Sequence, residues 1–273
     1  MKAAEMYKVE GYGAIVTGGA SGLGLSYVEV LAENGARVTM LDLDSGGIDR
    51  EVGRLRKLGY DVDGKAVDVT DRAAVHRAFD EVASKYGRLD VAFANAGIDP
   101  GPGFVAFDRK TRSNESAIEN YTDERWDHVI DTNLNSVFTT IKAAAKHMKP
   151  RKSGRIIITT SVAAFVNEAA IGVAYMASKA AAAHLMRNVA LELAKYNILV
   201  NAIAPGPFIT NIGGGHAHTP EVQAGFSQVV PLHRMASTEE MKGLALFLAS
   251  PASSYITGAQ IVIDGGMQIG VAD

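Results

Sequence analysis

Ala14-Ile-Val-Thr-Gly-Gly-Ala-Ser-Gly-Leu-Gly24 decides how the rest of the chain is read. Ala14 to Thr17 has the short β-branched character of a strand, and Gly22 to Asn34 reads as a helix. Between them, glycines at 18, 22 and 24 let a loop turn tightly. They also let backbone N–H groups approach an anion at a helix N-terminus. The spacing G-x-x-x-G-x-G differs from the common G-x-G-x-x-G dinucleotide fingerprint. The Lys-Ser/Thr pair of a phosphate-binding P-loop is missing, so a nucleoside-triphosphatase reading fails. A glycine-rich turn placed after the first strand and before a helix makes Gly18, Ser21, Gly22, Leu23 and Gly24 candidates for holding a nucleotide.

The strand-then-helix unit recurs along the chain. Further strands are expected at Arg37 to Leu41, Val62 to Val67, Leu89 to Ala94, Arg155 to Thr160, Ile198 to Ile203 and Gln260 to Ile263. Helices are expected around Ile48 to Leu58 and at Arg72 to Tyr86, Asp123 to Met148, Gly172 to Lys195 and Ser237 to Ala249. Such alternation implies right-handed crossovers and a mostly parallel sheet with helices on both faces. No linker or low-complexity tract divides it, so one domain over residues 1–273 is expected. Ligands of such sheets bind beyond the carboxyl ends of the strands. The informative residues should therefore follow the strands.

The bulk composition narrows the function classes. The chain has 273 residues, 47% hydrophobic and 21% charged, an ordinary soluble globular balance. A net charge of -3 gives no electrostatic case for nucleic acid or an anionic membrane surface. With no cysteine, disulfides, thiolate nucleophiles and Cys-ligated zinc are excluded. The first eight residues lack the apolar core of a signal peptide, and no apolar run is long enough to span a bilayer. A cytoplasmic protein is the expectation.

Asp42 follows the second strand, 18 residues beyond Gly24. A carboxylate there can accept hydrogen bonds from a ribose diol and would repel a 2′-phosphate. Neither Leu43 nor Ser21 is basic, so NAD is expected rather than NADP. Asp68-Val69 follows the third strand and Asn95-Ala-Gly97 the fourth; small and short polar residues suit a wall against adenine and ribose. Tyr175 and Lys179 stand four apart in a helical run, which puts a phenol and an ammonium on one face. A cation beside a phenol favours the phenolate and lowers its pKa from ~10. A tyrosine tuned this way can exchange a proton with an alcohol or carbonyl oxygen.

Taken together, Thr17-Gly-x-x-x-Gly-x-Gly24, Asn95-Ala-Gly97, Asn133, Ser161, Tyr175-x-x-x-Lys179 and Pro205-Gly206 resemble the short-chain dehydrogenase/reductase family, in the family's order and over Tyr12 to Met267. The resemblance implies a single Rossmann-like doubly wound α/β domain with a seven-stranded parallel sheet, assembled as a dimer or tetramer. Tyr175 would be the general acid/base. Lys179 would lower its pKa and hydrogen-bond the nicotinamide ribose. Ser161 would orient the substrate oxygen, and Asn133, in the middle of a long helix, would hold a water that links Lys179 to solvent. Pro205, Gly206, the Phe208 backbone and the Thr210 hydroxyl would engage the cofactor, with Ile209 helping to fix their loop.

Substrate-facing positions would follow Ser161, precede Tyr175 and lie beyond Thr210. Val162 to Val166, which includes Ala163, and Ala169 to Val173 are small or apolar and carry no cation to clamp a carboxylate. A neutral secondary alcohol or ketone is expected as the small-molecule substrate, and no metal. Residues 211–230, with His216 and His218 on a glycine-rich loop, suit a lid. Residues 98–122 form a segment longer than the family usually carries, either shaping the active-site mouth or standing as a solvated insertion. The basic stretch Lys142 to Arg155 is expected as a solvated face at the far end of the sheet. A 3-oxoacyl reductase acting on a carrier protein, and a catalytically idle NAD-binding protein, are the competing functions.

Overall fold

In the computed structural model, residues 2–101, 103–106 and 110–270 are described. Seven parallel strands form one sheet in the order β3-β2-β1-β4-β5-β6-β7. They are β1 (Gly13–Thr17), β2 (Arg37–Asp42), β3 (Val62–Ala66), β4 (Val91–Ala94), β5 (Gly154–Thr159), β6 (Ile198–Pro205) and β7 (Gln260–Ile263). Strand order reverses between β1 and β4, the place where a crevice opens at the carboxyl edge of a doubly wound sheet.

Alternate residues along the central strands serve two separate cores, as the period of two requires. Ala14, Val16, Phe93 and Ile157 face α1 (Gly22–Glu33), α2 (Ser45–Lys57) and α8 (Lys242–Ala249). Ile15, Ala92, Ile156 and Ile158 face α3 (Arg72–Tyr86), α5 (Ser136–Met148) and α6 (Val173–Leu193). A strand buried on both faces needs an uninterrupted apolar run, and Ile156-Ile-Ile158 is one. On the first face, Tyr27 stacks on Phe93 with ring centroids 4.5 Å apart. Both rings are fully buried.

Local chemistry sets the helix ends. The Asp44 carboxylate accepts from the Gly47 N–H and starts α2 at Ser45, earlier than the apolar pattern indicated. Asp71 does the same for α3, which stops at Gly87 with φ 68. The long helix expected from Asp123 to Met148 is interrupted. α4 (Asp123–Ile130) and α5 are joined by a π-helical turn, Asp131–Asn135, that contains Asn133. One further helix, α7 (Pro220–Ser227), lies inside the segment read as lid, with the Thr219 hydroxyl as its cap. At the far end of the sheet, Lys146 pairs with Asp80 and Lys149 with Glu192, in keeping with a solvated basic face. No helix among the described residues is long and apolar enough to cross a membrane.

Replacing Phe93 by Ala should empty the space beneath Tyr27 and cost about 3–5 kcal/mol. Urea denaturation should show a clearly lower midpoint; an unchanged midpoint would mean that the stacked pair does not anchor this face.

Candidate active site

A cavity of about 750 Å³ opens at the carboxyl edge of the sheet, astride the switch between β1 and β4. It gathers Gly18, Ser21, Gly22, Leu23, Gly24, Asp42, Asp68, Val69, Asn95, Ala96 and Gly97 on one side. Ser161, Tyr175, Lys179, Pro205, Gly206, Phe208 and Thr210 line the other. Residues scattered over nearly the whole sequence meet here because every parallel strand ends at the same edge.

The glycine-rich loop is shaped for close approach. Gly18 sits at φ 64 and Gly22 at φ 54, and a Cβ on Gly24 would collide with the Gly18 carbonyl oxygen. The Ser21 side chain does not cap α1, so the first-turn N–H groups stay available to an anion. Thr210 packs across the loop, its side chain 3.6 Å from the position of a Cβ on Gly22. At the end of β2, Asp42 accepts from the Ala20 N–H (2.9 Å) and the Asp44 N–H (3.1 Å). It does not cap α2; that role belongs to Asp44. Two backbone donors therefore aim a carboxylate into the crevice, and no basic side chain stands beside it at Leu43 or Ser21. These features fit a dinucleotide.

Several expected binding residues do their work on the protein. The Asn95 amide donates to the Thr17 and Gly18 carbonyls (3.0 and 3.1 Å) and accepts from the Thr159 hydroxyl (3.0 Å). Asp68 accepts from the N–H and hydroxyl of Thr70, which hold its carboxyl below the usual range. Phe208 bridges to Ala236 through its neighbours: the Ile209 N–H donates to the Ala236 carbonyl, and the Ala236 N–H to the Pro207 carbonyl. Ile209 thus fixes the loop, and the Phe208 N–H and carbonyl take no part in that bridge.

Tyr175 is half-buried at the cavity wall on the first turn of α6, and Lys179 is buried one turn later. The ammonium stands 5.5 Å from the phenol ring centre and donates to the Thr159 carbonyl at 2.9 Å. The expected lowering of the Tyr175 pKa is not found. Burial pushes it up to about 12, against the pull of a hydrogen bond with Ser161, and Asp99 pushes the same way. Burial also draws Lys179 down to about 8. Desolvation outweighs pairing because both groups sit in one low-dielectric wall.

Two predicted residues lie behind the cavity wall rather than on it. Asn133 is fully buried and does not line the cavity. Its amide grips Ile98, accepting from the N–H and donating to the carbonyl at 2.8 Å each, with a longer contact to Ser178. The Asn133 amide thus clamps the loop after β4, close to the Lys179 ammonium: both groups lie within 3.3 Å of the point where a Cβ on Gly97 would stand. Ala163 also lies outside the cavity wall; its N–H holds the Ser161 hydroxyl at 3.1 Å. Of the segment 98–122, Ile98, Asp99 and Pro100 line the cavity. Gly103 and Val105 donate to the Ala170 and Ala169 carbonyls, and a Cβ on Gly103 would collide with Ala169. Pro102 and residues 107–109 of that segment lie outside the described residues. Sequence reasoning missed Asp99, His128 and Thr132 as lining residues. Asp99 directly follows the predicted loop, while the other two reach the cavity from α4 and the π-helical turn, which no local pattern announced. In the lid segment, Gly213 to Gly215 run at φ 67, 79 and 80, and His218 hydrogen-bonds the Asn211 side chain at 3.1 Å.

Comparison with known proteins agrees with this geometry. A family model described as Enoyl-(Acyl carrier protein) reductase matches residues 18–268. The chain belongs to the short-chain dehydrogenase/reductase family, oxidoreductases that bind a nicotinamide cofactor. A 3-oxoacyl-[acyl-carrier-protein] reductase of Thermotoga maritima is 34% identical, with 96% of this chain and 100% of that protein aligned. A 7α-hydroxysteroid dehydrogenase solved with NADH and 7-oxo glycochenodeoxycholic acid is 30% identical, with a TM-score of 0.85 over 100% of this chain and 99% of that one. A gluconate 5-dehydrogenase from Burkholderia cenocepacia, solved with NADP and tartrate, is 29% identical, with a TM-score of 0.87 over 98% and 99%.

The buried lysine makes stability depend on pH. Between about pH 8 and its ordinary 10.5, the unfolded chain binds a proton that folded Lys179 has released, so stability rises with pH. Tyr175, raised above 10.0, has the opposite sign between about pH 10 and 12. The wild type should therefore gain stability over a Lys179→Met variant as pH rises from about 8 to about 10. Urea denaturation of both proteins across that window checks it; a constant difference would contradict a lysine buried at this cost.

Proposed function

We propose that this protein is an NAD(H)-dependent oxidoreductase that interconverts a secondary alcohol and its ketone. The observation carrying this reading is the convergence of Tyr175, Lys179 and Ser161 on one cavity whose other side is a glycine cradle ending in Asp42. A bound nicotinamide supplies or accepts the hydride; the protein contributes position and electrostatics. The first turn of α1, with Gly18, Ser21, Gly22, Leu23 and Gly24, would hold the pyrophosphate, and Asp42 the ribose diol. Asp68, Val69, Asn95, Ala96 and Gly97 would form the adenosine-side wall. Pro205, Gly206, the free Phe208 backbone groups and Thr210 would hold the nicotinamide side.

Tyr175 would give its proton to the carbonyl oxygen during reduction and take it from the hydroxyl during oxidation. A phenol held protonated by burial suits the donor role at neutral pH. Ser161, oriented by the Ala163 N–H, would hydrogen-bond the same oxygen and steady its developing charge. Lys179, anchored on Thr159, would keep positive charge beside the phenol and reach the ribose. Residues 211–230 would close over the substrate and exclude water. A homo-oligomer, dimer or tetramer, goes with this reading. The kinship to a 3-oxoacyl reductase supports a second reading, a reductase acting on a carrier-bound thioester. Asp42 speaks against the NADP use that the resemblance attaches to that activity.

Tyr175→Phe should lower turnover by about 10²–10⁴-fold or more, while NADH still binds in a fluorescence titration. Full activity in that variant would overturn the assignment of Tyr175. With wild-type protein, kcat/KM for NAD should exceed that for NADP, and Asp42→Ala should narrow the gap. A clear NADP preference would defeat the reading of Asp42.

A further inference from the structure

Among the described residues that line the cavity, Asp99 is the carboxylate on the side of Tyr175 that the proposed chemistry leaves unused. It lines the cavity, and both Tyr175 and Lys179 feel its charge. Its surroundings are built on both sides. Immediately before it, Ile98 is gripped at N–H and carbonyl by the buried Asn133 amide. Two residues after it, the Gly101 carbonyl accepts from the Arg125 guanidinium, and the Gly101 N–H donates to Asp99 Oδ1 at 3.1 Å. Beyond that, Gly103 and Val105 bind the Ala169–Ala170 backbone. The backbone that carries the carboxylate is therefore fixed on both sides, at Ile98 and at Gly101.

Its neighbours place it on the substrate side. Oδ1 lies 3.2 Å from where a Cβ on Gly172 would stand, and Gly172 caps the helix that carries Tyr175. The Asp99 carbonyl lies 3.8 Å from the corresponding point on Gly213, in the segment after Thr210. Glycine at both positions leaves room around the acid. Oδ2 makes no hydrogen bond to the described residues, and Asp99 forms no ion pair with them within 4.0 Å. Burial pushes its carboxyl above the usual range, while Arg125 and Lys179 pull it back. An acceptor open to the cavity and not engaged by the protein is available to a ligand that brings a donor, and a hydrogen bond to a charged group is a strong one. Among the described lining residues, only Lys179 and His128 are basic. The wall thus offers an open anionic acceptor and no guanidinium for an anion.

We propose that Asp99 determines substrate specificity: its free carboxylate oxygen accepts a hydrogen bond from a second donor on the substrate, a hydroxyl or an ammonium, and selects polyols, hydroxy ketones or amino alcohols over simple alcohols and hydroxy acids. The proposal rests on the alcohol–ketone reading for the identity of the occupant, and Asp99 acts by positioning that occupant.

The test uses wild-type, Asp99→Asn and Asp99→Leu full-length protein with NAD and three probes: cyclohexanol, cyclohexanediol and aminocyclohexanol. Two readouts are taken, kcat/KM from NADH absorbance and the added Tm shift of each probe, which needs no turnover. In the wild type, at least one donor-bearing probe should exceed cyclohexanol by about tenfold or more, the worth of a hydrogen bond to a charged group. Asp99→Leu should erase that preference. Asp99→Asn keeps an acceptor without charge, so it should abolish a preference for the amine but retain part of one for the diol; this identifies the donor. Equal treatment of all three probes by the wild type, no binding of any donor probe, or a preference that survives in Asp99→Asn and Asp99→Leu alike would overturn the proposal. A change confined to NADH affinity would overturn it too, by assigning Asp99 to the cofactor. An Asp99-dependent Tm preference without any NADH formation would sink the hydride-transfer reading and leave the Asp99 assignment standing. NADH formation with no discrimination would do the reverse.

Discussion

One hydrogen-bond network at the switch point holds both halves of the site. The Thr17 hydroxyl donates to the Phe93 carbonyl and accepts from the N–H groups of Asn95 and Ala96. Asn95 returns two bonds to the turn at Thr17 and Gly18 and accepts one from Thr159. Thr159 in turn meets the buried Tyr27 hydroxyl, and its carbonyl receives Lys179. β1, β4, β5, α1 and α6 are thereby tied at one place. β1 and β4 pair directly as far as Val16 and Phe93, and β4 pairs with β5 up to Ala94 and Ile158; where the backbone ladders end, these side chains carry the connection on. Loss of this junction would release the glycine loop and the Tyr175–Lys179 pair together.

Desolvation governs the electrostatics of that region more than pairing does. A phenol raised to about 12 and an ammonium lowered to about 8 are both held nearer their neutral forms than in water. The half-buried Asp99 carboxylate favours the protonated form of both neighbours. The titration of Tyr175 is thus a property of the whole wall, including the loop after β4 that carries Asp99. Asn133 connects the two: a π-helical turn widens the helix at that point and presents its amide to Ile98, which fixes the backbone next to Asp99.

Much of this was legible from residues alone. The alternation of apolar strands with helices implied the parallel sheet, and the strands fall within a few residues of their expected bounds. The glycine spacing and the acid after β2 pointed to a crevice, where they now stand together. Other features were not legible. The helix from Asp123 to Met148 is periodic throughout, yet packing at Asn133 inserts a π-helical turn that periodicity does not record. Ala163 follows Ser161 in sequence, yet it is not among the residues that line the cavity; the turn after β5 uses its N–H to hold the Ser161 hydroxyl.

The amino-acid sequence by itself determined the order of strands and helices along the chain and the glycine-rich turn, because these depend on side-chain period, chirality and residue type within short windows. Only the tertiary structure decided which way the pKa values of Tyr175 and Lys179 move, that Asn133 holds a loop, and that Asp99 enters the cavity. Burial and long-range contact set those outcomes, and neither is a property of any single stretch of chain.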